Sequence, residues 1–149
     1  METIFTRIVS GEIPSTKIRE NDEFLAILDL FPNCKGQTLV ITKTRYPSDL
    51  TLMPSDVYTR YMLAVQQVCA LLKTWLHVPR VGIIVEGTEI DHAHVKLYPM
   101  HWLDTTIETA SRPDQQFFST YPGYMTSVGG EMMSQEDRDA IASEILSDK

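Results

Sequence analysis

Two imidazoles and an ammonium stand at alternate positions in His92-Ala93-His94-Val95-Lys96. Side chains at i, i+2 and i+4 of an extended strand point the same way, so these three groups share one surface. Three chemistries compete for such a face. The first is metal binding, because neutral histidine pairs are common ligands. Cupin-like sites add a glutamate shortly after the second histidine, but Leu97 and Tyr98 stand there instead. The fixed charge of Lys96 would also repel a cation. The second is nucleophilic attack by a neutral imidazole on phosphorus, with neighbouring donors steadying the equatorial oxygens. Lys96 would then depress the pKa of His94 and keep it unprotonated near neutral pH. The third is plain: a polar strand face whose histidines only satisfy local hydrogen bonds.

The alternation from His92 to Pro99 predicts a half-buried strand, with Ala93, Val95 and Leu97 inward and a polar, nitrogen-rich face outward. Ile4, Phe5, Ile8 and Val9 at helical spacing, closed by Gly11, predict a short helix. Thr16–Arg19 and Phe24–Leu28, separated by Glu20-Asn21-Asp22, read as a hairpin. Phe31 to Gly36 is a loop, and Gln37–Thr42 a strand. A long helix is expected from Pro54, at its first helical position, to about Leu76. Its stripe is Val57, Tyr61, Val65, Val68, Leu72 and Trp75, widened by Met62, Cys69 and Leu76. His77 is read as a cation at its C-terminus. Val81–Glu86 is a further strand, broken by Gly87. Trp102 to Ser119 reads as irregular, Tyr121–Val128 as a last strand and Gly129-Gly130 as a turn. A capped terminal helix begins at Ser134, with Ile141, Ile145 and Leu146 inward.

A chain of 149 residues makes one domain, and 43% apolar with 22% charged residues excludes disordered, collagenous and coiled-coil classes. Thirteen basic against 20 acidic residues leave a net charge of −7, which disfavours polynucleotides and anionic membranes. A small phosphorylated ligand needs only a local positive pocket. Cys34 and Cys69 form no CxxC motif and suit a reducing compartment. The N-terminus lacks a basic start followed by an apolar run, and no apolar stretch approaches ~20 residues. A soluble, cytoplasmic protein is expected.

The order Ile4-Phe5, Ile8-Val9, Gly11-Glu12-Ile13-Pro14, Phe24-Leu25-Ala26-Ile27-Leu28-Asp29, Gly36-Gln37-Thr38-Leu39-Val40-Ile41 and His92-x-His94 resembles the histidine-triad (HIT) superfamily of nucleotide-binding hydrolases and transferases. The resemblance runs from about Ile4 to Pro99. It implies an α+β fold: a mainly antiparallel sheet of about five strands with one long helix packed on it, in a homodimer. It places a HIT-like domain over 1–110 and a C-terminal extension, packed on the same domain, over 111–149. His94 matches the nucleophile that forms a nucleotidyl-histidine intermediate, and His92 the histidine that orients it. Asp29 matches the acid that accepts from the ribose hydroxyls. Phe5, Ile8, Ile13, Ile27, Leu30 and Leu39 match the apolar cleft for the base, although each would serve equally as ordinary core. The implied partner is a purine nucleotide, with no further cofactor and no metal.

The chain departs from the family pattern in two places. Lys96 replaces the third triad histidine, and Gln37 the histidine that usually follows glycine in the Gly-His-x-Leu-Val motif. The pair looks like one coupled change in a single contact. Thr88 sits where many members place a phosphate-contacting glutamine. His101 and Tyr98 could compensate, whereas Glu89 and Asp91 read as solvated loop acids. The expected function is hydrolysis or transfer at the α-phosphate, with dinucleoside polyphosphates favoured and Lys96 a third catalytic residue. Two rivals stand beside it: a non-catalytic nucleotide-binding or scaffold protein, and a metal enzyme using His92, His94 and His101.

Overall fold

The computed structural model describes residues 2–101 and 134–136. The chain divides into two compact units, Met1–Thr106 and Ile107–Lys149. In the second unit, Ser134 precedes helical residues 135 and 136. The expected irregular stretch, last strand, turn and inward isoleucines lie outside the described residues.

The first unit carries α1 (Ile4–Val9), β1 (Lys17–Glu20), β2 (Phe24–Leu28), β3 (Thr38–Thr42), α2 (Ser55–Leu76), β4 (Val81–Ile84) and β5 (His94–Pro99), with a short 3₁₀ turn at Leu50–Leu52. The strands form one five-stranded sheet, ordered β1-β2-β3-β5-β4. Every neighbouring pair is antiparallel. Asn21 makes the first hairpin by accepting from the amides of Glu23 and Phe24.

Period-two alternation divides the sheet into two faces. Phe24 and Ala26 of β2, Val40 of β3 and Val95 and Leu97 of β5 pack with Val57, Tyr61, Val65, Val68 and Leu72 of α2. Leu25 and Ile27 of β2 and Leu39 and Ile41 of β3 pack with Phe5 and Ile8 of α1. Both faces of β2 and β3 are therefore covered, which explains why these strands are apolar almost without a break.

Four differences from expectation have local causes. Pro54 is the N-cap of α2, not its first residue: its φ of −54° is paired with an extended ψ of 135°. Trp75 is 75% exposed, because a rise of 3.6 residues per turn carries the buried line from Leu72 to Leu76. His77 caps α2 through a left-handed backbone, φ 51° and ψ 41°, while Lys73 supplies the basic residue of the last turn. Four strands have bounds shifted by one or two residues. β1 spans Lys17–Glu20 and not Thr16–Arg19, β3 begins at Thr38 and not Gln37, β4 ends at Ile84 and not Glu86, and β5 begins at His94 and not His92. His92 itself turns back, its amide donating to the Ile90 carbonyl at 2.7 Å.

Candidate active site

β5 presents His94, Lys96 and Tyr98 on the α1 side of the sheet, beside the ends of β2 and β3. These elements enclose a cavity of about 290 Å³. The expected residues Phe5, Ile8, Ile27, Asp29, Leu30, Gln37, Leu39, His94 and Lys96 all line it. The polar face of β5 is thus not simply solvent-facing: His94 is only 5% exposed. A larger hollow of about 770 Å³ runs from Ser48 past Tyr58 to Glu86. Its lining offers hydroxyls and carboxylates but no imidazole or ammonium, whereas the smaller cavity brings both together.

The partners of each histidine select which ring nitrogen carries the proton of the neutral form. His92 is completely buried. Its Nε2 lies 2.7 Å from the Thr42 carbonyl, which can only accept, so Nε2 carries the proton. Its Nδ1 then accepts from the Thr3 hydroxyl at 2.9 Å. Thr3 is fixed in turn as the N-cap of α1, in a reciprocal capping box with Thr6. The same reasoning sets His94. Its Nδ1 donates to the His92 carbonyl at 2.7 Å, which leaves the Nε2 lone pair as the nucleophilic nitrogen. Phe5 braces both rings, edge-on to His92 at 5.7 Å and tilted against His94 at 5.1 Å.

Burial is the main cause that lowers the pKa of each histidine. For His94, Lys96 adds to the lowering, as the sequence suggests. A histidine whose folded pKa is depressed loses stability as pH falls, because the unfolded chain binds protons first. Thermal stability is therefore expected to drop as pH falls from about 6.5 through the folded-state values, before most carboxylates titrate. His92→Gln should flatten that part of the profile. An unchanged slope in scanning calorimetry would show that His92 is not buried neutral.

Asp29 stands at the end of β2 with both carboxylate oxygens engaged. Oδ1 accepts from the Phe31 amide at 2.9 Å and Oδ2 from the Gln37 side chain at 2.6 Å. Lys96 lies 3.8 Å from Glu86, a loose pair with both side chains mostly covered. Gln37 and Lys96 therefore have separate polar partners within one cavity lining.

Several expected residues lie elsewhere. Ile13 packs against the α1-side core and does not line the cavity. Thr88 follows the Gly87 turn and does not line it either. Gly87 has φ +71°, and a Cβ there would meet the Ser48 carbonyl oxygen at 2.8 Å. Asp91 is not merely solvated: it accepts from Arg45 and, at 3.1 Å, from the Ser48 amide, tying the loop before His92 to the chain after β3. Glu89 and Tyr98 do reach the cavity. His101 donates from Nε2 to the Lys35 carbonyl at 2.7 Å and is not a lining residue. With both ring nitrogens of His92 also engaged, the three-histidine metal set is not assembled among the described residues.

Sequence reasoning missed Thr3, Ile4, Phe31, Asn33 and Ile90. The Thr3-x-x-Thr6 spacing is a helix-start signal that could have pointed to Thr3. Phe31, 87% exposed at the cavity rim, had only its place in a breaker-rich loop to mark it.

A five-stranded antiparallel sheet with a long helix on one face, and on the other a cavity lined by His94 but not by the buried His92, defines a HIT-like α+β protein. Residues 10–102 match the HIT domain family, and the chain belongs to that family. It is 33% identical over 103 residues to an uncharacterized HIT-like protein of Methanocaldococcus jannaschii, covering 66% of this chain and 78% of that one. Among solved structures, a protein of Streptococcus mutans superposes with a TM-score of 0.71 at 25% identity, over 99% of this chain and 84% of that one. A hypothetical histidine triad nucleotide-binding protein of Sulfolobus tokodaii superposes with a TM-score of 0.63 at 26% identity, over 74% of this chain and 77% of that one.

Proposed function

We propose that the protein is a nucleotide hydrolase or nucleotidyl transferase acting at the α-phosphate of a purine nucleotide through a covalent bond to His94. The observation that carries this reading is the His92–His94 relay. A neutral imidazole, fixed by its Nδ1 proton on a backbone carbonyl, is presented at a cavity that also holds an ammonium and a carboxylate. The family and the nucleotide-binding relative from Sulfolobus tokodaii support the ligand class.

In this mechanism the base lies among Phe5, Ile8, Ile27 and Leu39, and Asp29 accepts from the ribose hydroxyls. Nε2 of His94 attacks the α-phosphorus, the bond to the leaving oxygen breaks, and the leaving group departs with that electron pair. The His92 carbonyl stabilises the charge that develops on the imidazole, and Lys96 the charge on the phosphate oxygens. Attack by water, or by another acceptor, then breaks the P–N bond and restores His94. Incubation with a radiolabelled dinucleoside polyphosphate, quenched in alkali where phosphoramidate bonds survive, should leave label on His94. Binding without label would favour the scaffold reading.

We place the protein in the cytoplasm as a homodimer; no helix of the described residues is long and apolar enough to cross a membrane. Ile83 on the edge strand β4 and Tyr58 and Leu63 on α2 are exposed apolar residues that a second copy would cover. Sedimentation equilibrium at micromolar concentration is expected to give twice the chain mass, and a stable monomer would count against the dimer.

A further inference from the structure

Gln37 is 3% exposed although it ends in a primary amide, and both ends of that amide are used. Nε2 donates to Oδ2 of Asp29 at 2.6 Å, and Oε1 accepts from the Asn33 amide at 2.7 Å. The reverse orientation would set a carbonyl oxygen against the carboxylate and an NH₂ against an N–H, so the network fixes the amide. The backbone repeats the link, with the Asp29 amide donating to the Gln37 carbonyl at 3.0 Å. One side chain thus joins β3, the end of β2 and the loop whose Leu30 and Phe31 rim the cavity.

We propose that Gln37 is a positioning residue that aims Asp29 at the vicinal ribose hydroxyls and so sets the discrimination between ribonucleotides and 2′-deoxyribonucleotides. The proposal rests on the nucleotide reading above. Each Asp29 oxygen spends one lone pair, on Gln37 or on the Phe31 amide, and keeps another for a ligand hydroxyl. The amide holds the carboxylate without neutralising it and without titrating. A carboxylate free to rotate would accept from one hydroxyl about as well as from two, and the 2′-hydroxyl would cease to matter.

Replacing the amide by an acid makes this visible. In Gln37→Glu two carboxylates face each other, and they cannot both ionise cheaply. When one proton is shared, the acid donates to Asp29 and its other oxygen still accepts from Asn33, as the amide did. The other titratable groups around the pair are His94, Lys96 and Tyr98 of β5, Glu89 in the loop before β5, and Cys34 and Lys35 beside Gln37. They act on both nucleotides alike, so the ratio of the two affinities cancels them.

Calorimetric titration of the full chain with AMP and with 2′-deoxy-AMP, at about pH 8 and about pH 5.5, tests the proposal. The unaltered protein should prefer AMP by about tenfold or more at both pH values. Gln37→Glu should lose most of that preference at the higher pH and regain it at the lower. Gln37→Met keeps the volume but has no donor, so it should lose the preference at both; melting curves establish that each variant is folded. If either folded variant keeps the full preference at the higher pH, or if acid fails to restore it in Gln37→Glu, the positioning role is overturned. Equal binding of both nucleotides by the unaltered protein overturns it too, with nucleotide binding intact. No binding of either overturns the nucleotide reading itself.

Discussion

Replacing His94 with alanine is expected to abolish the alkali-stable nucleotide adduct and to lower turnover of a dinucleoside polyphosphate by at least about a thousandfold. The effect is large because, among the described residues, no other imidazole is presented at the cavity. His92 lies behind His94 with both nitrogens engaged, and His101 bonds to the Lys35 carbonyl. Nucleotide affinity should fall much less, since the apolar cleft and Asp29 are untouched. Label that persists on the variant would place the nucleophile elsewhere. Turnover that persists without label would replace the covalent route with direct attack by water.

The second large effect falls on substrate choice. Dinucleoside polyphosphates are expected to be cleaved faster than adenosine phosphoramidate, because a polyphosphate departs readily without a proton whereas an amine needs one. An ammonium is a compact point charge that stabilises phosphate oxygens well, whereas an imidazole is the usual side chain for proton transfer to a leaving group. Lys96→Ala should slow both reactions, the polyphosphate one by about tenfold to a hundredfold. Lys96→His should narrow the gap between them. Because the Gln37 amide is bonded to Asp29, Lys96→His is tested alone and together with Gln37→His, and the double change should narrow the gap as well. If the unaltered protein cleaves the phosphoramidate faster in steady-state assays, Lys96 does not have this role, and His94 is judged separately.

Local patterns carried most of the architecture. Alternation separated Val95 and Leu97 from His94 and Lys96 on β5, and the five buried residues of α2 follow directly from helical periodicity. The pattern failed where two elements compete for one position. Trp75 and Leu76 both sit near the stripe, and only the turn angle decides between them. Most of the cavity lining was legible through the family resemblance, and Asp29 also stood out as an acid closing the apolar run at Leu28. The site was not legible where a role depends on what folds over the residue. His92 reads as an exposed strand histidine until α1 is placed on it, and Ile13 and Thr88 share their neighbours' composition without lining the cavity. Nothing local links Thr3 to His92, which stand 89 residues apart.

That last bond also bears on when the site comes into being. A contact spanning 89 residues closes a loop whose entropy cost is on the order of 4 kcal/mol, and one hydrogen bond does not offset it. It forms only after the sheet has already drawn its two ends together. The fixed setting of the buried His92 ring is therefore a late product of cooperative folding. A ligand seated in the cavity touches α1, β2, β3 and β5 at once, so it binds the completed fold and draws the whole domain toward it by mass action.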